Sequence, residues 1–429
     1  MQVSRRSLFN PRDWNSAPQQ SAQVSPALHL LNRITWGPRP EEAERAEKIG
    51  LSAYLDEQLN PQSIDDSQLE AKLKALPLLQ VKDRRALYAL DDYEWRVYQT
   101  LARAMLRRAI HSKRQLQERM TEFWTDHFNI SANDVDYAPD LLALHAFFRQ
   151  NALGSFRDLL FASAKSPAML VYLDNFVNVK GAPNENYARE LMELHTLGVD
   201  GGYTERDIKE VARAFTGWTI HPKTPDGFYF DPEEHDAGVK KILGHTLPAG
   251  RGIEDGLHVL SIVANHPSTA QFVCRKLCVR FVSDDPPAAL VARLAQTWRQ
   301  SGGQLRPVLR QLFLSAEFQQ SAGQKFRRPL DFLVGVLRAS GAEIWQKWVL
   351  EEIVLQLGQL PYGWPTPDGY PDTAPAWMST NGLLARWNTA MRLTHAAYSD
   401  PEEGGVTVDL YARIGQPKTV SELVDAVAR

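Results

Sequence analysis

Cysteine and long apolar stretches are both scarce in this 429-residue chain. Its two cysteines, Cys274 and Cys278, are too few for a disulfide scaffold and lack the CxxC spacing and further ligands of a zinc knuckle or a haem attachment. Their spacing places both on one helical face, so we predict two small buried hydrophobic residues. No segment approaches the roughly 18 apolar residues of a membrane helix, so none is predicted.

An excess of positive charge is also absent. The chain carries 48 Lys and Arg against 51 Asp and Glu, with both signs interspersed. Because phosphate-backbone binding needs a basic stripe, nucleic acid is not expected as a ligand. The chain also lacks GxGxxG after a strand, GxxxxGK[ST], GxSxG and a zinc-ribbon cysteine set, which disfavours dinucleotide enzymes, P-loop NTPases and α/β-hydrolases.

The N-terminal segment carries Arg5 and Arg6 but not the rest of an export signal. Polar residues and Pro11 follow Phe9, whereas such a signal needs an apolar stretch of about 7 to 15 residues. We therefore expect a flexible leader over residues 1–24 and a cytoplasmic protein.

Helical periodicity dominates the rest of the sequence. Ser25 followed by proline is typical of a helix start, and an almost continuous helical pattern over 84–128, broken around 111–113, predicts the central element. Capping boxes predict further helix starts at 155–158, 204–207 and 419–422.

Strand signals are few by comparison. Residues 227–231 and 239–243 are the best of them, and we expect the two to pair as a hairpin within a long loop. The prediction is a mainly α fold, a large multi-helix orthogonal bundle with one small β-hairpin. We expect one domain over 25–398 and a C-terminal extension over 399–429. Because the chain stops inside a helix-like pattern, we expect this extension to be a truncated one.

Six segments resemble the recurrent signatures of one family of bacterial proteins of unknown function, DUF1800. They are LLNRITWGPRPEE, ERMTEFWTDHFNIS, NENYARELMELHTLGVDGGYTERDIKEVARAFTGW, EEHDAGVKKILG, HPSTAQFVCRKLCVRFV and FRRPLDFLVGVLRASG. They are distributed between residues 30 and 341, so the resemblance extends along most of the chain. The resemblance implies a helical fold and assigns little chemistry. It also implies a partner, since members often occur beside a sulfatase-like (DUF1501-type) protein.

Two histidines stand at the ends of helical patterns. His127 shares the apolar face of RQLQERMTEFWTDHFNIS and is predicted to point inward. It is either a buried histidine bonded to a neighbour, or a metal ligand or general acid/base at the floor of a cleft. His195 lies at one edge of the core stripe of NENYARELMELHTLG.

The same segment carries a polar face formed by Asn186, Glu190 and Glu193. Two carboxylates at i and i+3 can chelate a cation or serve acid/base chemistry. Alternatively, they pair with arginines such as Arg189, since charged faces are usually solvated or paired.

Two loops supply the remaining candidates. His235 and Asp236 offer an adjacent imidazole and carboxylate that can ligate a divalent ion with other histidines or act as base and orienting group; the alternative is an acidic solvent loop with an Asp turn. In the later loop, aromatic residues such as Trp364 and Tyr370 stand between prolines. They suit stacking on sugars or peptides, or they pack the loop onto the helical body.

Two functions remain open from the sequence. The first is an enzyme that uses a His/Glu/Asp cleft for acid/base or metal-assisted chemistry on a polar substrate such as a glycan, with a divalent metal ion as the candidate cofactor. The second is a non-catalytic helical partner or scaffold for the sulfatase-like neighbour, with the same polar residues in buried networks. For the enzyme, the candidate residues are Glu190, Glu193, His235 and Asp236 for catalysis, Trp364, Tyr370, Asn186 and Arg189 for substrate binding, and His127 and His195, with His235 and Asp236, for a metal.

Overall fold

Helices make up most of the computed structural model, which describes residues 24–132, 135–344 and 348–393, two residues at 406–407 and the single positions 415, 419 and 422. The predicted leader and most of the predicted C-terminal extension lie outside these residues. The α-helices are α1 Pro26–Ile34, α2 Pro40–Ile49, α3 Leu51–Gln58, α4 Ser67–Leu73, α5 Arg84–Tyr88, α6 Tyr93–His111, α7 Gln115–His127, α8 Ala138–Asn151, α9 Phe156–Lys165, α10 Pro167–Tyr172, α11 Asn186–Glu190, α12 Glu205–Ala214, α13 Glu254–Asn265, α14 Pro267–Phe281, α15 Ala288–Ser301, α16 Leu305–Phe313, α17 Ala316–Gln320, α18 Pro329–Ala339, α19 Trp348–Leu357 and α20 Thr380–Leu393.

Six short strands form three antiparallel pairs among the described residues: β1 Trp218–Ile220 with β2 Phe228–Phe230, β3 Lys240–Ile242 with β4 His245–Leu247, and β5 Glu343–Ile344 with β6 Val406–Thr407. The predicted mainly α fold is therefore confirmed. The predicted pairing of 227–231 with 239–243 is wrong, because each segment pairs with a nearer strand. Leu243 and Gly244 both have positive φ, 49° and 80°, which suits a tight two-residue turn between β3 and β4.

Helix α7 lies at the centre of the fold. All of its residues except Asp126 are buried, and it packs against α1, α3, α6 and α8. The predicted break in the long helical pattern is confirmed, because α6 ends at His111 and α7 begins at Gln115. Polar residues that enter this helix therefore need partners from surrounding elements.

The predicted helix starts are confirmed where the structure describes them, although one cap differs. The Ser25 hydroxyl accepts from the Leu28 amide at 3.1 Å, and Thr204 and Asp207 form the full capping box. At residues 155–158 the helix begins as predicted, but the serine side chain makes no capping bond. The first amide of that helix, from Phe156, instead donates to the carbonyl of Gly303 at 3.1 Å.

The core consists of one large hydrophobic cluster and smaller ones beside it. The large cluster draws on helices from α1 to α17 and on Tyr362, and a second joins α6, α18, α19 and α20. Cys274 and Cys278 are fully buried in the large cluster, as predicted. Within the described ranges, no helix combines the length and apolar character needed to cross a bilayer.

Candidate functional site

His127 is buried at the last residue of α7. Its Nε2 lies 2.9 Å from the carbonyl oxygen of His195, and since a carbonyl only accepts, the ring proton sits on Nε2. Nδ1 is then a bare acceptor, and it has no hydrogen-bond partner. Burial, reinforced by the charge of Lys276, holds the pKa of His127 well below its usual range. The imidazole is therefore neutral at ordinary pH.

His195 lies in a π-helical segment, Leu191–Thr196, that directly continues α11. Its ring is buried, with its centroid 6.3 Å from that of His127. Burial lowers the pKa of His195 to about 3. Single π-helical turns occur frequently at functional sites because they displace a side chain from the regular helical register.

A cleft of about 260 Å³ opens beside the end of α7. We call it the α7 cleft; it is lined by Phe123, Asp126, His127, Phe272, Arg275, Lys276, Val279, Asp368, Gly369, Tyr370, Pro371 and Asp372. Three elements therefore form it: α7, α14 and the late aromatic loop. It contains both cationic and acidic side chains, and two of the predicted site residues, His127 and Tyr370.

Lys276, on α14, lines the α7 cleft and has no ion-pair partner in the described part of the chain. It is half-buried, and in the described part of the chain its ammonium forms no ion pair or hydrogen bond. Its closest described aromatic contact is the ring of Phe272, 5.7 Å from Nζ to the centroid. Burial lowers the pKa of Lys276, partly offset by the negative charges of Asp372, Asp126 and Asp368.

Backbone carbonyls of the late aromatic loop accept hydrogen bonds from a residue that follows α7. The Asn129 side chain donates to the carbonyls of Trp364 and Thr366, at 3.1 and 2.7 Å. Gly369 has φ +75°, and a Cβ there would lie 2.0 Å from the carbonyl oxygen of Asp126. Only glycine permits both this conformation and this close approach.

The aromatic side chains of this loop pack largely on one another. Tyr370 is buried and donates to the carbonyl of Leu360 at 3.0 Å, and its ring centroid is 5.2 Å from that of Trp364. Tyr370 therefore packs the loop onto the helical body, and it also lines the cleft. Trp364 is half-buried and donates from Nε1 to the exposed carboxylate of Asp368 at 2.9 Å.

The polar face of α11 is partly paired. Arg189 lies 2.8 Å from Glu205 and 3.5 Å from Glu193, so the arginine alternative holds for Glu193. Asn186 is exposed, and its backbone amide donates to a turn residue. Glu190 is half-buried and forms no ion pair in the described ranges. Burial, then the charge of Glu193, raises the pKa of Glu190, which also senses the charge of the Asp368 carboxylate.

His235 and Asp236 are engaged in a separate network. The His235 Nδ1 donates to the carbonyl of Thr216 at 2.8 Å, and its Nε2 faces the buried Asp255 at 3.5 Å. Asp236 accepts two hydrogen bonds from Arg213, at 2.7 and 3.1 Å, and these hold its pKa at about 2. Such a carboxylate stays charged and is a weak base.

The four residues predicted to bind a metal lie in two separate places. The structure brings His127 close to His195, but among the described residues no group of three or more His, Cys, Asp or Glu side chains is arranged to hold a metal ion. His235 and Asp236 do not join the two histidines because their own hydrogen bonds fix them beside Thr216 and Arg213.

A wider cavity of about 670 Å³ lies elsewhere, beside α5 and α8. Both of its arginines are already paired: Arg84 bonds the Asp140 carboxylate, as does Tyr88, at 2.6 to 2.7 Å, and Arg85 pairs with Asp83. The α7 cleft is smaller, but it contains Lys276, whose ammonium has a lowered pKa and no ion pair in the described residues, and such groups mark a functional site better than volume does.

Sequence reasoning missed Lys276. A signal was present, because Phe272, Lys276 and Val279 recur at helical spacing, which puts a lysine on an otherwise apolar stripe.

These features define a mainly α-helical protein with a polar cleft lined by the buried, neutral His127. The chain belongs to the family described as protein of unknown function (DUF1800), whose model matches residues 29–429. Neither a curated protein nor a solved structure matches the chain.

Proposed function

We propose that this protein is an enzyme that performs acid/base chemistry on a small polar substrate in the α7 cleft. The observation that carries the proposal is Lys276, an ammonium of lowered pKa without an ion pair in the described part of the chain, on the wall of a 260 Å³ cleft. An isolated, partly desolvated lysine is costly to keep in a fold, and perturbed groups in clefts mark functional sites.

Two shifted pKa values suit proton transfer. Lys276 supplies a free amine near neutral pH more readily than an exposed lysine. Glu190 does not line the cleft, but it senses the charge of Asp368, which does, and it retains its proton more readily than an exposed glutamate. Pairs whose environments shift their pKa values in this manner serve as base and acid in enzymes. Asp368, held by Trp364 and by Thr366 at 2.5 Å, provides a fixed carboxylate at the rim.

Substrate contacts follow from the same arrangement. His127 lines the cleft, and its Nδ1 is a buried acceptor without a hydrogen-bond partner, so a substrate group that reached it would have to donate a hydrogen bond. The half-buried ring of Trp364 offers a face for a sugar. His235 and Asp236 stay outside this proposal because neither lines the α7 cleft, and their hydrogen bonds hold them beside Thr216 and Arg213.

The test compares Lys276→Met with Lys241→Met, whose lysine is exposed. The wild type is screened against chromogenic glycosides, esters and phosphates, and any turnover is measured in both variants. We expect Lys276→Met to lose about 10² to 10⁴ of kcat/KM, the usual contribution of one acid/base group, while Lys241→Met keeps it. Equal turnover by wild type and Lys276→Met would contradict the proposal.

A chemical readout does not require a known substrate. Trinitrobenzenesulfonate reacts with free amines, so at pH 8 we expect Lys276 to be labelled several times faster than Lys241, measured by peptide mass spectrometry. Slower labelling of Lys276, with the fold intact, argues against an activated amine.

The partner role remains the second candidate, and one observation favours it. Helix α20 exposes Leu383, Leu384 and Trp387, with exposed fractions of 48%, 56% and 69%. Clustered exposed apolar side chains mark interaction surfaces. If the sulfatase-like neighbour docks here, Leu384→Ser and Trp387→Ser together should weaken the copurified complex at least about tenfold; undiminished copurification would remove this surface from consideration.

A further inference from the structure

A second, smaller cavity lies where α1, α7, α14 and the start of α18 meet. Its volume is about 30 Å³, and it shares Asp372 with the α7 cleft. The lining residues are Asn32, Arg33, Thr35, Trp36, Arg119, Arg280, Lys325, Phe326, Arg327, Arg328, Asp331 and Asp372. A single water needs roughly 10 to 15 Å³ by this measure, so the room suits about two or three non-hydrogen atoms.

Positive charge exceeds negative charge around this cavity. Six lining side chains are cations and two are carboxylates. Three carboxylates that do not line it, Glu122, Asp126 and Asp284, pair with lining cations, which still leaves six cations against five carboxylates. Arg33 and Arg327 account for the excess, since neither forms an ion pair within the described ranges.

The unpaired polar atoms of the cavity wall are all hydrogen-bond donors. The Nε groups of Arg33, Arg119, Arg280 and Arg328 and the indole Nε1 of Trp36 are buried without a hydrogen-bond partner. A wall that offers donors alone suits a ligand that only accepts. An anion meets this requirement, whereas a water also brings its own hydrogens towards the cations.

The fold holds these donors in place by close backbone packing. A Cβ on Gly37 would lie 2.5 Å from the Cα of Gly335, and a Cβ on Gly335 would lie 2.4 Å from Nη1 of Arg327. The two glycines let the turn after α1 sit directly on α18, with the Arg327 guanidinium against it. The second amino group of Arg327 donates to the Asn32 side chain at 2.5 Å.

We propose that this cavity binds a small oxyanion, a carboxylate or the oxygens of a single phosphate group, through Arg33, Arg327 and the indole N–H of Trp36. The planar donor fork of arginine fits such oxygens, and charge-assisted bonds of this kind are strong. Burial and the charges of Arg327 and Arg119 lower the pKa of Arg33 to about 10, as uncompensated positive charge would. The inference does not rest on the proposed enzymatic function.

The experiment measures melting temperature and calorimetric binding of the full chain in sodium chloride, sodium formate and sodium phosphate at one ionic strength. We expect formate or phosphate to raise Tm saturably by roughly 2 to 4 °C relative to chloride, because a ligand of the folded state stabilises it by mass action. A larger response to formate identifies a carboxylate, and a larger response to phosphate identifies a phosphate group.

The variants separate this site from general salt effects. Arg327→Gln and, independently, Arg33→Gln should weaken binding at least about tenfold, the effect of one charge-assisted hydrogen bond. Arg306→Gln makes the same charge change on an exposed arginine without an ion pair in the described residues, and it should bind as the wild type does. Equal effects of all three salts, or unchanged binding by both Arg327→Gln and Arg33→Gln, would overturn the proposal.

Discussion

The Nε2 hydrogen of His127 bonds the carbonyl oxygen of His195 at 2.9 Å, across 68 residues of sequence. This bond ties the last turn of the buried helix α7 to the π-helical segment Leu191–Thr196. It fixes the tautomer of His127 and thereby leaves Nδ1 as a buried acceptor without a hydrogen-bond partner, on a residue that lines the α7 cleft. Structure and candidate chemistry therefore depend on the same imidazole.

Replacement of His127 by alanine should destabilise the protein. The variant loses a buried ring and leaves the carbonyl of His195 without a partner, so we expect the free energy of unfolding to fall by about 2 to 4 kcal/mol in urea titrations. His245→Ala, at an exposed histidine, should change it by less than about 0.5 kcal/mol. Similar stabilities for the two variants would show that the bond contributes little.

We expect the protein to become less stable in mild acid, because His195 is protonated more readily in the unfolded chain than in the folded one. Its pKa is about 3 when folded and about 6.5 when unfolded, so the unfolded chain takes the proton first as pH falls. The contribution is complete above about pH 6.5 and is lost at roughly 1.4 kcal/mol per pH unit down to pH 3. Between pH 7 and 5, the wild type should lose about 2 kcal/mol more than His195→Gln. Parallel pH profiles for the two proteins would contradict the lowered pKa.

We expect the buried ammonium of Lys240 to stabilise the fold. Its side chain is fully buried, and Nζ donates to Asp255 at 2.7 Å, to the carbonyl of Gly238 at 3.1 Å and to that of Asp236. Lys240→Met removes one partner of a buried charge and should cost about 3 to 5 kcal/mol of unfolding free energy. The adjacent, exposed Lys241→Met is the control and should cost less than about 0.5 kcal/mol. Comparable denaturation midpoints would refute the assignment.

The two cysteines should be unreactive in the native protein. Both are buried, and burial raises the pKa of each thiol, that of Cys278 to about 12. Since the thiolate is the reactive form, Ellman's reagent should modify neither at pH 8 until denaturant unfolds the chain, and then both. Rapid modification of both cysteines without denaturant would contradict this prediction, because it would show that reagent reaches α14 in the folded protein.

Local signals in the sequence predicted much of the fold. Ser25 and the Thr204 box mark helix starts through side-chain bonds formed within a few residues, and the break after His111 follows from the interrupted period. The strand at 227–231 was also predicted, but its pairing was wrong. Which strands pair depends on the turns between them, and the tight turn at Leu243 and Gly244 uses a leucine at positive φ that no turn rule anticipates.

By itself, the sequence determined the helical elements, the buried face of His127 and the burial of both cysteines, because these follow from spacing along one chain segment. Tertiary structure decided the chemistry of each polar residue, because charge and proton affinity depend on neighbours from distant segments. It paired Asp236 with Arg213 and left Lys276 without an ion pair among the described residues. Periodicity reports which way a side chain faces, whereas only the packing of the helices determines what it meets.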